Sequence, residues 1–209
     1  GFTSPPRFTA RNLASYLAKP AWGLNYLLRE PFSLPNLATH VAEGSSVPRS
    51  VADYFSTMLD QSLDWRRAEA IRRQWDGPFC LKGIMAVEDA RRAVDIGATA
   101  IMVSNHGGRQ LDGSRAPFDA LAEIVDAVGD RVEVICDGGI TRGTHVLKAL
   151  SVGARACSGG RLYLYALAAA GEAGVARAIG LLRAEIERGM KLMGAQSLAD
   201  LSRANLRWR

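Results

Sequence analysis

An α/β fold on parallel strands is what the 209 residues predict, and three features of the chain carry that prediction. A unit of apolar strand, polar or glycine-rich loop and helix recurs four times at intervals of roughly 20–30 residues, the grammar of strands joined by crossover helices. The strand segments are short continuous apolar runs rather than alternating ones, as expected where both faces of a sheet are covered. The chemically loaded side chains, Lys82, Asn105 with His106, Asp137, and Gly160 with Arg161, stand at or just after strand ends. A (β/α)8 TIM barrel gathers its active residues at that face from many strands. A doubly wound sheet concentrates them at one switch point. The four units therefore predict half of a TIM barrel.

Residues 1–50 differ in texture from the rest. They hold six of the eight prolines (Pro5, Pro6, Pro20, Pro31, Pro35 and Pro48), with short helices expected at Ala10 to Ala18 and Trp22 to Arg29. Aromatic and apolar residues such as Phe8, Tyr16, Trp22 and Phe32 alternate there with Arg7, Arg11, Lys19 and Arg29. Such a stretch suits either an excursion lying on a membrane interface or a loop packed on its own domain.

From Ser50 onward the elements follow in order. A short helix is expected over Asp53 to Leu59, then one from Trp65 to Trp75 with Asp64 as N-cap and Ile71 and Trp75 on one face. Pro78 introduces a strand from Phe79 to Gly83 that carries Lys82 at its end. Glu88 and Asp89 open a helix, acids favouring a first turn, and Ala90, Ala93 and Val94 give it an apolar stripe. Strand Thr99 to Ser104 leads through the polar loop Asn105 to Ala116 into a helix from Pro117 to Val128, striped by Phe118, Leu121 and Val125. Pro117 suits the first turn, where its missing N–H would be unpaired anyway. Strand Val132 to Cys136 runs into Asp137-Gly138-Gly139, a helix from Thr141 to Leu150 is stopped by Gly153, and strand Ala154 to Ser158 exits into Gly159-Gly160-Arg161. Two helices follow, the first to Ala170 and the second from Gly174 to Met193 on Val175, Ile179, Leu182, Ile186 and Met190. Ser197 to Leu201 closes the chain with a short turn.

Composition excludes several classes. Lys and Arg number 26 against 21 Asp and Glu, a surplus of +5 with both signs interspersed and no basic tract interleaved with aromatics, so nucleic acid is not an expected partner. Cys80, Cys136 and Cys157 lie in apolar runs too far apart for a CxxC motif and read as reduced, small core residues. No uninterrupted apolar run approaches the roughly 20 residues that span a bilayer. The three histidines are scattered, without HxH or HExxH, so no catalytic metal is expected. His145 and His40 are expected to take no part in catalysis, His145 as an exposed helix residue.

The stretch from Ile101 to Asp112, IMVSNHGGRQLD, carries the chemistry. A buried strand can fix the imidazole of His106, and Gly107-Gly108 let the backbone turn close to a bulky guest and bring Arg109 near it. Lys82 at a buried strand end needs an anionic or electron-rich partner. Asp137-Gly138-Gly139 and Ser158-Gly159-Gly160-Arg161 each feed a helix, and the second resembles a phosphate site built from helix N–H groups and an arginine. No GxGxxG or GxxxxGK[ST] motif is present, which argues against a dinucleotide fold or an ATPase.

Lys82-Gly83, Ser104-Asn105-His106-Gly107-Gly108-Arg109-Gln110-Leu111-Asp112, Asp137-Gly138-Gly139 with Arg142-Gly143-Thr144, Lys148-Ala149-Leu150 and Gly160-Arg161 together resemble the FMN-dependent L-2-hydroxy-acid dehydrogenases and oxidases, over about residues 50–203. The resemblance implies a TIM barrel with FMN at its mouth, of which residues 51–209 supply strands five to eight, while residues 1–50 match the end of the long loop after strand four through which some members meet a membrane. It implies His106 as catalytic base and Arg109, with His106, as the substrate site. Lys82 would face the flavin and stabilise charge on it, Ser104, Asp137 and Gly138 would contact the cofactor, and Gly139, Arg142, Gly160 and Arg161 would hold its phosphate. Where members carry Ile-Gly-Arg-Pro, this chain has Gly159-Gly160-Arg161-Leu162.

The expected activity is oxidation of an L-2-hydroxy acid, L-lactate first, with electrons passed to a quinone or cytochrome. An oxygen-using oxidase of glycolate or mandelate type is the nearest alternative. Another phosphate-binding flavin or nucleotide barrel, or a non-catalytic half-barrel module, would lack a need for His106 and Arg109 together. The expected partners are the N-terminal half of the barrel as a separate piece and further copies in a tetramer, in the cytoplasm or on the inner face of the plasma membrane.

Overall fold

The computed structural model describes residues 9–28 and 62–207; the helix expected at Asp53 to Leu59, and His40, lie outside them. The chain divides into two compact units, Gly1–Leu63 and Asp64–Arg209. In the first, α1 (Ala10–Leu17) starts where Thr9 Oγ1 accepts from the N–H of Asn12 at 3.2 Å, and α2 (Pro20–Leu27) starts on a proline.

The second unit opens with α3 (Trp65–Arg73), capped by Asp64, whose carboxylate accepts from the Arg67 N–H at 2.9 Å. Next come β1 (Cys80–Lys82), α4 (Val87–Asp95), β2 (Ala100–Ser104), α5 (Pro117–Val128), β3 (Glu133–Asp137), α6 (Gly143–Val152), β4 (Ala156–Ser158) and α7 (Arg161–Met193). The four strands form one parallel sheet in sequential order, β1-β2-β3-β4, as a barrel segment requires. A doubly wound sheet would reverse its strand order at a switch point, and among the described strands there is no reversal.

Strand parity divides the side chains. Ile101, Val103, Val134 and Cys136 are buried on the helix-bearing face, against Ala90, Ala93, Leu121, Ile124 and Val152. The opposite face carries Lys82, Met102, Ser104, Ile135 and Asp137. Two expectations change here. Cys136 is a core residue and Cys157 half-buried, with burial first among the causes that push their thiols up to about 11 and about 12, but Cys80 falls on the other parity and is exposed. The stripe of α5 is Pro117, Ala120, Leu121, Ile124 and Val128, with Phe118 and Val125 partly buried on its flanks.

The backbone of α7 breaks at Ala170 (φ −153°) and Gly171 (φ 59°), so the two helices expected on either side of Gly171 are present. By length and composition this element could span a bilayer, yet the break and the charges beyond it, Glu172, Arg177, Arg183 and Glu185 among them, argue against that use. The distal half crosses α6 closely. A Cβ on Gly143 would stand 2.5 Å from Glu185 Cβ and 2.6 Å from the Ile186 backbone nitrogen. Gly143→Ala should therefore cost about 1–3 kcal/mol through overpacking, read as a lower denaturation midpoint at unchanged slope; an unchanged midpoint would mean that the helices part freely.

Candidate active site

The C-terminal strand ends build the site. Register sets Ser104 beside Asp137 and Asp137 beside Ser158. Ser104 Oγ donates to Asp137 Oδ2 at 2.5 Å, and Lys82 Nζ lies 3.1 Å from the same oxygen. Asp137 is only 7% exposed. Burial alone would raise its carboxyl, but the hydrogen bonds from Ser104, Ser158 and Lys82, with the charge of Lys82, win and hold it below the usual carboxylate range. Asp137 is thus the anionic partner that Lys82 needs.

Beyond β2 the backbone coils left-handed three times in succession: His106 at φ 57°, Gly107 at 72° and Gly108 at 71°. The glycines adopt this without penalty, whereas a non-glycine residue pays of order 1–2 kcal/mol. Local hydrogen bonds hold the turn. The His106 N–H donates to Ser104 Oγ at 3.1 Å, the Gly108 N–H to Asn105 Oδ1 at 3.2 Å, and Asn105 Nδ2 to the Arg115 carbonyl at 3.3 Å. Arg115 in turn fastens the loop's end to α5 through Glu123 at 2.5 Å and the Asp119 carbonyl. From the far side, Arg161 Nη2 donates to the Gly107 carbonyl at 2.6 Å.

These elements enclose a cavity of about 480 Å³ lined by Lys82, His106, Arg109, Asp137, Gly138, Gly139, Gly160 and Arg161. Eight of the expected site residues are thereby brought together. Ser104 lies beneath them, 2% exposed and bound to Asp137. Arg142 does not line the cavity: its Nε donates to both carboxylate oxygens of Glu185, at 2.8 and 3.0 Å, and Glu185 also accepts from the Gly143 N–H at 2.7 Å, capping α6. Thr141 lines the cavity where Arg142 was expected. His145 is half-buried rather than exposed, its Nδ1 3.0 Å from the Gly139 carbonyl, so it buttresses a glycine exit.

Sequence reasoning missed Thr141, Leu162, Leu164 and Tyr165, all on the wall. The signal for two of them was present: Leu164 and Tyr165 follow Arg161 by three and four residues on one helix, which places them on its side.

The donor set suits a flavin mononucleotide. Lys82, Arg109 and Arg161 line the same cavity as the buried Asp137 carboxylate, which Lys82 Nζ approaches to 3.1 Å. A Cβ on Gly139 or on Gly160 would meet nothing within 4 Å, so a ligand can approach the backbone at both exits. The N–H groups of Arg161 and Leu162 at the start of α7 stand ahead of its first backbone bonds, which run from Tyr163 and Leu164 to the Gly160 carbonyl at 3.2 and 3.1 Å. One end of the cavity thus favours a phosphate, while Lys82 offers positive charge at the other.

Residues 1–208 match the sequence pattern of the family described as FMN-dependent dehydrogenase. L-lactate dehydrogenase of Caulobacter vibrioides is 40% identical over 200 residues, 95% of this chain and 52% of that protein. Pre-mycofactocin synthase of Mycolicibacterium smegmatis is 45% identical over 188 residues, 88% of this chain and 46% of that protein. Among solved structures, (S)-mandelate dehydrogenase, a monotopic membrane protein, superposes with a TM-score of 0.86 at 34% identity, covering 97% of this chain and 53% of that one. A mandelate oxidase variant with an FMN adduct gives 0.64 at 51% identity, covering 68% and 45%. The chain spans about half the length of the curated relatives it matches.

Proposed function

This chain belongs to the FMN-dependent dehydrogenase family, and from that premise we propose that it contributes the catalytic half of a flavoenzyme oxidising an L-2-hydroxy acid, L-lactate first, to the 2-oxo acid. One observation carries the reading: a single cavity gathers His106 and Arg109 with Lys82 and the two glycine exits. FMN, when bound, supplies the two-electron acceptor. Gly139, Gly160, Arg161 and the first turn of α7 would hold its phosphate, and Asp137 and Gly138, which line the same cavity, would border it. Lys82, kept in place by Asp137, presents positive charge where negative charge develops. Arg109 orients the substrate carboxylate through its planar fork, and the imidazole of His106 takes a proton from the substrate. Removal of the hydroxyl proton and removal of the α proton would call on the same residues.

The test is anaerobic addition of L-lactate, glycolate or (S)-mandelate to the holoprotein. Loss of the yellow flavin absorbance with one of them, followed by faster reoxidation with a quinone than with oxygen, is the expected result. No loss with any acid would overturn the reading. The 45% identity to pre-mycofactocin synthase favours a second reading, in which the chain works as such a synthase, and indifference to all free hydroxy acids is the outcome it predicts. Residues 1–50 are proposed as a membrane-facing segment of a peripheral, tetrameric enzyme. The exposed Leu17, Leu24 and Leu28 and the monotopic mandelate dehydrogenase support that placement.

A further inference from the structure

The left-handed backbone of His106 needs something to hold it, and among the bonds that hold the turn it is one hydroxyl that reaches the His106 N–H itself. Ser104 Oγ has a single proton, committed to Asp137 Oδ2 at 2.5 Å. Its lone pairs are thereby turned toward the His106 N–H, 3.1 Å away. At 2% exposure Ser104 cannot hand this work to solvent. The direction of the hydroxyl is set in turn by the carboxylate, which Lys82 Nζ approaches to 3.1 Å. Ser104 is in register with Asp137 on the adjacent parallel strand, so rigid sheet pairing fixes the whole chain of contacts.

We propose that Ser104 is a positioning residue for His106: its hydroxyl ties the His106 backbone N–H to the Asp137 carboxylate and so to Lys82, aiming the imidazole from the neighbouring strand ends. This rests on the reading of His106 as the base, and it gives Ser104 a task other than touching the cofactor. Both hydrogen-bonding directions of the hydroxyl are used within the protein, one outward to Asp137 and one inward from His106. A ring displaced by an ångström from its substrate loses on the order of 100-fold in rate.

The experiment compares Ser104→Ala with Ser104→Thr in the FMN-loaded holoprotein, using 15N-histidine labelling to follow the His106 backbone amide. In Ser104→Ala the amide proton should move upfield and exchange faster, and flavin reduction by the best hydroxy acid should fall about 10–100-fold in kcat, with KM and FMN affinity within about threefold. Ser104→Thr, which keeps the hydroxyl, should restore both. An unmoved His106 amide in Ser104→Ala overturns the proposal, and so does loss of FMN with that amide unchanged, which would make Ser104 a cofactor contact. If Ser104→Ala does not fold, nearly isosteric Ser104→Cys, a weaker hydrogen-bonding group, is read in the same way. If no hydroxy acid reduces even the unaltered holoprotein, the functional reading fails while the amide signal still decides the role of Ser104.

Discussion

His106→Ala should abolish reduction of bound FMN by the hydroxy acid, lowering the rate by about 10²–10⁴-fold, while the flavin stays bound. The reason lies in what the imidazole does and does not touch. It is exposed on the cavity wall, and no described residue hydrogen-bonds it. Its removal therefore costs little folding energy, and the strained backbone is relieved only slightly, because alanine at φ 57° meets the same steric conflict. The groups proposed to hold the phosphate, Gly160, Arg161 and the start of α7, lie on a different strand exit. Stopped-flow reduction kinetics beside an FMN titration separate the two effects. Reduction at the original rate would remove His106 from the mechanism, and co-loss of flavin would make it a cofactor ligand.

Arg109→Leu is expected to raise KM for the hydroxy acid about 100-fold, on the order of the 3 kcal/mol carried by two charge-assisted hydrogen bonds. Arg109 follows three residues behind His106, across the two left-handed glycines, and the turn delivers both side chains to the same cavity. Arg109→Lys should recover only part of the loss, since an ammonium offers a point charge where the carboxylate meets a flat fork. Steady-state kinetics at saturating acceptor make the comparison. Equal KM for the original and Leu proteins would show that another cation receives the carboxylate.

Local pattern decides where the helices start and stop, but not which side chains the site residues meet. Helix α5 begins at Pro117 as expected and α3 at its Asp64 cap, because capping chemistry is decided within a few residues. Gly171 parts two helices for the same local reason, a backbone angle that only glycine adopts easily. Arg142 behaves otherwise. The family resemblance implies a phosphate ligand at Arg142, and Glu185, 43 residues later, binds its guanidinium. No periodicity within α6 could announce a carboxylate arriving from α7. His145 tells the same story: an exposed position by helix pattern becomes half-buried because the Gly139 carbonyl turns back toward its ring.

The amino-acid order alone determined the strand–loop–helix units, their parallel pairing, and the placing of Lys82, His106, Asp137 and Arg161 at strand ends, since these follow from short-range sterics and apolar patterning. Only the tertiary structure decided which of those residues act together. The register that sets Ser104 against Asp137, and the crossing that gives Arg142 to Glu185, depend on interstrand and interhelix distances that no span of neighbouring residues encodes.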